Sequence, residues 1–118
     1  VDGAMTVSDA RTAARTIASS LLVKAMVHGK DPNWGRIVMA LGNSGIALEE
    51  SKLDVFISEI HIVNQGKSIP YYKDAVISAM DGSEVGFRVN LNLGQESATA
   101  WGCDLTEEYV IYNSAYST

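Results

Sequence analysis

Hydrophobic positions near the N-terminus repeat with the spacing of a helix. Between residues 8 and 29, apolar side chains recur every three or four positions and form one stripe, made of Ala10, Ala13, Ala14, Ile17, Ala18, Leu21, Leu22 and Ala25. Ser8 suits an N-cap, and Gly29 suits a left-handed C-cap. The pattern predicts one continuous, alanine-rich helix that can lie close to the layer it covers.

Shorter stretches further along alternate or run apolar in the manner of β-strands. Residues 36–42 ("RIVMALG") predict a strand that is followed by a turn at "NSG". Apolar and polar residues alternate over 53–57, and residues 60–62 precede the turn "NQG". These segments predict a second strand, a third extended segment and a hairpin turn.

A longer alternation covers residues 85–93, where five apolar residues alternate with four others. It predicts a half-buried strand whose polar face is solvated or covered by a partner, with Arg88, Asn90 and Asn92 on that face. Residues 97–105 ("SATAWGCDL") are predicted to be its neighbour in the sheet.

Two more segments predict helices. In residues 71–82 the side chains of Tyr72, Ala75, Val76 and Ala79 share a helical face, and Gly82 ends the pattern. Residues 106–113 begin with Thr106 as an N-cap. The order of elements predicts one α/β (α+β) domain over residues 1–118, with a mixed or mainly antiparallel sheet covered by helices.

Composition narrows the class of protein. The chain has 118 residues, 47% hydrophobic and 19% charged, which are values typical of one globular domain. Its net charge is −5 and it has no lysine- or arginine-rich run, which argues against nucleic acid or an anionic membrane as a partner. The apolar runs are too short to span a bilayer. A single cysteine, Cys103, rules out an intrachain disulfide and favours the cytoplasm.

Few residues suggest catalysis on their own. The only histidines are His28 and His61, and the chain has no pair of residues with metal-ligand spacing, so no metal site is expected. His28 falls at a predicted helix end, where capping is favoured over catalysis. His61 is expected on an exposed strand face. Cys103 is expected to be a small buried thiol rather than a nucleophile.

The loop "GKDPNWGRI", residues 29–37, has two interpretations. In the structural one, Trp34 closes the end of the sheet and Arg36 pairs with Asp31 or another carboxylate. In the functional one, Arg36 or Asn33 faces a small ligand that carries a carboxylate. The residue chemistry favours the structural interpretation.

Two long motifs carry a resemblance to a known family. The stretches "LVKAMVHGKDPNWGRI" and "ATAWGCDLTEEYVIYNSAYST" resemble the last part of the bifunctional ornithine acetyltransferase/N-acetylglutamate synthases of arginine biosynthesis. Residues 20–41 and 98–118 match that pattern closely, whereas residues 42–97 match it by layout. The resemblance implies the C-terminal portion of the β chain of this acetyltransferase.

The resemblance also implies a mechanism. The family's proenzyme cuts itself before a threonine, which becomes the N-terminal nucleophile of the second chain. The acetyl group passes from N-acetylornithine, through an acetyl-threonine, to glutamate. That threonine and the family's active-site glutamate are expected upstream of Val1. No catalytic residue is therefore expected in this chain, and the isolated chain is expected to be inactive.

Partners and ligands follow from the same resemblance. The upstream α chain and the remainder of the β chain are the expected partners, in a hetero-oligomer. No cofactor is expected, although acetyl-CoA is an acetyl donor in bifunctional members. Asn113 and Thr118 match the residues with which the family contacts the amino-acid end of its substrate. The alternative is that these two residues form a helix cap and a frayed chain end.

Two rival functions remain open at the level of sequence. The first is a non-catalytic assembly or interaction module of the same fold. The second, which the sequence supports less, is a free-standing domain that binds a small ligand.

Overall fold

The computed structural model describes residues 1–82 and 84–102. It contains helices α1 (Val7–Ser19), α2 (Leu21–His28), α3 (Gly35–Asn43) and α4 (Lys73–Ala79), a 3₁₀ turn (Glu50–Lys52), and strands β1 (Asp54–Ile57), β2 (Ile60–Asn64), β3 (Lys67–Ser68) and β4 (Phe87–Asn90). The strands form one sheet in the order β3-β2-β1-β4, and each neighbouring pair is antiparallel. This confirms the predicted α/β class with a mainly antiparallel sheet.

The predicted first helix is in fact two helices. Ser20 has an extended backbone between α1 and α2, and its hydroxyl accepts a hydrogen bond from the Val23 amide at 3.3 Å. Serine side chains compete for local amide groups in this way, and the apolar stripe continues on both sides of the break. Hydrophobic periodicity alone therefore could not reveal the break.

Both predicted caps of this helical segment are wrong by one or two residues. Thr6, not Ser8, caps α1 by accepting a hydrogen bond from the Asp9 amide at 3.0 Å. Gly29 follows α2 with φ −80°, so it is not left-handed. The left-handed position is Lys30, with φ +52°. A hydroxyl still caps the start of α1, but it belongs to Thr6, and a residue with positive φ still follows α2, but it is Lys30.

The predicted strand at residues 36–42 is wrong, because this segment is helix α3. Ile37, Ala40 and Leu41 are buried, whereas Met39 is 55% exposed. That burial follows the i, i+3, i+4 spacing of a helix, and a short apolar run does not distinguish a strand from a buried helix. Helices α1, α2 and α3 pack against one another.

The hairpin turn predicted at "NQG" is confirmed, and a second hairpin that was not predicted from the sequence precedes it. Strands β1 and β2 are joined by Ser58 and Glu59, whose φ angles of +48° and +67° match the twisted turns that close such hairpins. The turn "NQG" joins β2 to β3, with Gly66 at φ +77°. Val55 and Ile57 of β1 are fully buried, as the alternation predicted.

The helix after the hairpin is confirmed, although its predicted face is only partly buried. Helix α4 buries Val76, and Met80 is buried just beyond its end. Tyr72, which the pattern placed on the inner face, is 87% exposed. The helix predicted for residues 106–113 lies outside the described residues.

Strand β4 is confirmed in a shorter form, but its predicted neighbour is wrong. Residues 97–102, the described part of the predicted neighbouring strand, do not pair with β4. The N-terminal segment Val1–Ala4 lies between them. The Asp2 amide donates to the Val89 carbonyl at 2.8 Å, and the Leu91 amide donates to the Asp2 carbonyl at 2.9 Å.

The other side of the N-terminal segment pairs with residues 96–98. Val1 and Ala98 exchange two hydrogen bonds, of 2.8 and 2.9 Å, and Ala4 and Glu96 exchange two more, of 2.9 and 3.0 Å. "VDGA" has no run of alternating apolar residues, so this extension of the sheet could not be predicted from local pattern.

A single hydrophobic core joins the helices to the inner face of the sheet. Its largest fully buried members are Met26, Ile37, Leu41, Leu53, Ile57, Ile62 and Leu91. In the part of the chain that the structure describes, no helix has the length and apolarity needed to cross a bilayer.

Candidate functional site

A cavity of about 710 Å³, which we call the edge cleft, lies at the β4 side of the sheet. Residues 84–89 form one wall and residues 99–102 form the other. Its apolar lining from the first two helices consists of Ala14, Ile17, Ala18, Val23 and Val27. Val1 and Asp2 line the cleft as well. The lining therefore combines small apolar side chains with charged ones such as Lys24, Glu59 and Arg88.

Two basic residues of the edge cleft, Arg88 and Lys30, lie close to carboxylates. The Arg88 guanidinium lies 4.3 Å from the centre of the Phe56 ring, and its nitrogens lie 3.9 Å from Asp2 and 3.8 Å from Glu59. Elsewhere in the lining, the Lys30 ammonium pairs with the Asp81 carboxylate. These exposed pairs contribute little stability, but they offset one another's charge.

The last described residues of the chain border the edge cleft. A Cβ on Gly102 would lie 2.3 Å from the Ala18 carbonyl oxygen, so only glycine allows this approach to α1. Trp101 is 87% exposed. A shallower depression of about 280 Å³ beside Gly102 is bordered by Arg15 and Lys24. The C-terminal tail therefore starts from a close contact with the helical layer.

The predicted substrate-binding residues Asn113 and Thr118 lie outside the described residues, as does Cys103. Their roles remain predictions. Among the residues that are described, no three His, Cys, Asp or Glu side chains are grouped so that they could hold a metal ion.

The loop at residues 29–37 does not close the end of the sheet, because a helix follows it rather than a strand. Trp34 is the residue before α3 and packs, partly buried, against the core. The Arg36 guanidinium donates to the Leu22 carbonyl at 3.3 Å, and it forms no ion pair with a carboxylate of residues 1–82 or 84–102. Arg36 and Asn33 are not among the residues that line the edge cleft. The loop thus joins α2 to α3, which agrees with a structural role.

The two histidines differ in their surroundings. His28 is the last residue of α2 and lines the edge cleft. His61 was expected on an exposed strand face, whereas the structure shows it half-buried. Its ring stacks on Phe56, with the ring centroids 4.3 Å apart. Its Nε2 lies 3.7 Å from Asp54 Oδ1.

Asp54 is an organising residue that the sequence interpretation missed. Its carboxylate accepts hydrogen bonds from the Gln65 amide and from Asn92 Nδ2, both at 2.9 Å. Partial burial raises its pKa, but these hydrogen bonds and the nearby His61 outweigh burial and hold the pKa below its usual value. The ionised carboxylate therefore joins the β2–β3 turn to the segment after β4.

The same contacts correct the predicted polar face of residues 85–93. The Asn90 side chain accepts a hydrogen bond from the Asn92 amide at 2.9 Å. The Asn92 side chain donates to the Lys52 carbonyl at 2.7 Å as well as to Asp54. Asn90 and Asn92 thus have partners within the chain.

The fold of the chain matches that of a solved protein of arginine biosynthesis. The chain matches the crystal structure of the arginine biosynthesis bifunctional protein argJ from Bacillus halodurans with a TM-score of 0.91. The match is 34% identical in sequence and covers 98% of this chain and 55% of the solved one.

Sequence comparison gives the family. The ArgJ family model matches residues 1–118, and the chain belongs to the ArgJ family. Curated relatives named "Arginine biosynthesis bifunctional protein ArgJ" include those of Symbiobacterium thermophilum and Dehalococcoides mccartyi, at 42% and 44% identity over 118 residues. Each alignment covers 100% of this chain and 29% of the relative. The chain therefore spans under a third of the length of these relatives.

Proposed function

We propose that the chain is the C-terminal segment of an acetyltransferase that moves an acetyl group from N-acetylornithine to glutamate in arginine biosynthesis. The observation that supports this most directly is the match along the whole chain to relatives named for arginine biosynthesis. The fold agreement with the Bacillus halodurans protein supports it independently. The segment's role is to supply the substrate-binding tail and contact surface for the rest of the enzyme.

The nucleophile in this proposal is a threonine upstream of Val1, freed by self-cleavage of a proenzyme. Matched regions of similar length fill 55% of the solved Bacillus halodurans chain but 29% of a curated relative. The solved chain is thus about half as long as the curated one, which is the relation expected when a precursor divides into two chains. An N-terminal threonine is a suitable nucleophile, because its own amine can act as the base.

The tail contributes recognition rather than bond making. Asn113 can donate to and accept from the charged groups at the amino-acid end of the substrate, and the Thr118 hydroxyl can do the same. The contact of Gly102 with Ala18 supports a fixed starting point for this tail. Arg15 and Lys24 border the adjacent depression, a favourable location for a substrate carboxylate.

The remaining parts of the proposal concern the assembly. The partners are the α chain and the rest of the β chain in a hetero-oligomer, working in the cytoplasm without a resident cofactor. Acetyl-CoA serves as an additional acetyl donor if the parent enzyme is bifunctional.

Kinetics on the complete, two-chain enzyme test the tail. Replacing Asn113 by alanine should raise KM for N-acetylornithine about tenfold or more, because a hydrogen bond to a charged group is worth roughly 1.5–3 kcal/mol. Thr118→Ala should act in the same direction. Ser114→Ala is the matched control within the tail and should leave KM unchanged. An unchanged KM in the first two variants, or a fall in melting temperature that accompanies the lost activity, would contradict the assignment.

The alternative, a non-catalytic module of the same fold, is separated by mass spectrometry. After incubation with N-acetylornithine, the complete protein should carry an acetyl group on a threonine outside this segment. The isolated 118-residue chain should carry none. A protein with no acetylated threonine favours the module, and a stoichiometric acetyl group on the isolated chain contradicts the upstream nucleophile.

A further inference from the structure

The edge cleft is a continuation of the gap that the N-terminal segment fills. Val1–Ala4 lies between β4 on one side and residues 96–98 on the other. The cleft begins at Val1 and Asp2. Its two walls, residues 84–89 and 99–102, extend the same two neighbours beyond Val1. The cleft therefore runs in line with the N-terminal segment.

Backbone groups of β4 are directed into this cleft. Successive residues of a strand present their N–H and C=O groups to opposite sides. The Gly86 carbonyl accepts from Ser58 on the β1 side, whereas the Val89 carbonyl accepts from Asp2 on the cleft side. By this alternation, the amide of Val89 and both backbone groups of Phe87 face the cleft. In residues 1–82 and 84–102, Val1–Ala4 is the segment that pairs with this edge.

The opposite wall, residues 99–102, has backbone groups at positions that the same added strand could pair with. Val1 and Ala98 form a pair that exchanges two hydrogen bonds. In an antiparallel ladder the next such pair lies two residues along, so Ala100 is placed to pair with the second residue before Val1. Asp2 bonds to β4 and Val1 bonds to Ala98, as alternate residues of one strand must. A single strand extended backwards from Val1 satisfies both walls.

The floor of the cleft specifies the side chains of that strand. Asp2 points to the outer side, near Arg88, whereas Val1 packs against the core. With a side-chain period of two, the second and fourth residues before Val1 would face the floor. Of the α1 and α2 residues that line the cleft, most are alanine, isoleucine or valine, and the others are Lys24 and His28. Apolar residues are therefore required at these alternate positions.

We infer that the edge cleft is the binding site for one further β-strand, formed by the polypeptide that precedes Val1 in a longer ArgJ protein. This strand runs parallel to β4 and antiparallel to residues 98–102, and the cleft is not a substrate pocket. The inference rests on the proposed function only in taking the chain as part of such a longer protein. Curated relatives are more than three times as long as this chain, so a longer ArgJ protein has additional polypeptide that can supply such a strand.

A pair of extensions with the same composition tests the inference. Six residues, Val-Thr-Val-Thr-Val-Thr, are joined before Val1 of the 118-residue chain, which places valines over the apolar floor. The control extension, Thr-Val-Thr-Val-Thr-Val, places them on the outer side, because a shift of one residue exchanges the two faces of a strand. The same two hexapeptides are also added in trans and followed by tryptophan fluorescence, to which Trp101 in the cleft lining contributes. This second measurement does not depend on expression of the extended chains.

The valine-inward extension should raise the melting temperature by about 5 °C or more over the control extension. It should also slow amide hydrogen exchange at Phe87, Val89 and Ala100 by about tenfold or more. Equal effects of the two extensions, or no protection at these amides, would overturn the inference. So would protection in the unextended chain that disappears when residues 103–118 are deleted, since the tail would then be the occupant. These readouts do not involve acetyl transfer, so their failure leaves the proposed activity to its own tests.

Discussion

The two edges of the sheet are built differently. At one edge, β3 has only two residues, Lys67 and Ser68, and both are exposed. A short edge strand with a lysine is a common means of preventing further pairing. At the other edge, Val1–Ala4 lies beside β4 in the sheet, and the edge cleft continues beyond that segment. The β3 edge therefore opposes the addition of another strand, whereas the β4 edge leaves space for one beyond Val1.

Each edge also depends on a glycine with positive φ. A Cβ on Gly66, in the turn before β3, would lie 2.4 Å from the Glu50 carbonyl oxygen. A Cβ on Gly3 would lie 2.2 Å from Asn90 Oδ1 and 2.7 Å from the Asn92 amide nitrogen. The contact at Gly66 lies within one continuous part of the fold. The contact at Gly3 lies in a terminal segment that backbone hydrogen bonds join to β4 on one side and to residues 96–98 on the other.

The largest effect on stability is expected at the β3 edge. Gly66→Ala should lower the free energy of unfolding by about 3 kcal/mol, because left-handed strain adds to a backbone clash that a rigid hairpin cannot relieve. Gly42→Ala is the control, since that helical glycine has open space around it and alanine there should stabilise by about 0.5–1 kcal/mol. Urea unfolding measures both. A cost below about 1 kcal/mol for Gly66→Ala would show that this edge is adaptable.

Gly3→Ala should cost about 2 kcal/mol, because the N-terminal segment can separate from β4 instead of straining the whole fold. Hydrogen exchange should become faster at the Leu91 and Ala98 amides, which bond to this segment, but not at the β1–β2 hairpin. A uniform increase over the whole sheet would mean that the two edges do not unfold separately.

Asp54 links the two edges and gives the next effect. Asp54→Asn should cost about 1.5 kcal/mol at pH 7, through its weakened hydrogen bonds to Gln65 and Asn92. The folded-state pKa of Asp54 is below its unfolded value, so its contribution is present above the unfolded pKa and is lost as pH falls through the folded one. The difference between wild type and variant should therefore shrink below about pH 4. A difference that stays constant down to pH 2 would contradict this role.

The smallest effect on stability is expected at β3 itself. Lys67→Val should change the free energy of unfolding by less than about 0.5 kcal/mol, since the side chain is exposed. It should increase self-association in sedimentation experiments, because the edge loses its charge. Lys67→Arg, which keeps the charge, should remain like the wild type. Equal association of the two variants would show that this edge is protected by its length alone.

Local patterns in the sequence predicted several elements correctly. The alternation at 53–57 and 60–62 predicted β1 and β2, and "NQG" predicted the hairpin turn between β2 and β3, because strand period and turn chemistry act between near neighbours. The stripe before Gly29 predicted helix correctly, but the break at Ser20 changes the buried face, so that Leu21 and Leu22 of the stripe are exposed and α2 buries Val23 and Met26 instead. Two long motifs also indicated the family, to which the chain belongs.

Other features depended on contacts between distant residues. The segment 36–42 is apolar enough for a strand or a helix, and packing against α1 and α2 makes it a helix. Asp54 is an ordinary carboxylate in sequence and becomes an organising residue only when folding brings Gln65 and Asn92 to it.

The sequence by itself determined the class of fold, the hairpin and the family, because each rests on nearest-neighbour periodicity or on motifs of adjacent residues. Only the tertiary structure decided what lies beside β4. Val1–Ala4 has no alternating strand pattern, yet its backbone forms hydrogen bonds with residues far along the chain. One of them joins Val1 to Ala98, at a sequence separation of 97. Strand pairing depends on backbone groups that every residue carries, so its partners are selected by the assembled fold rather than by the letters of the segment.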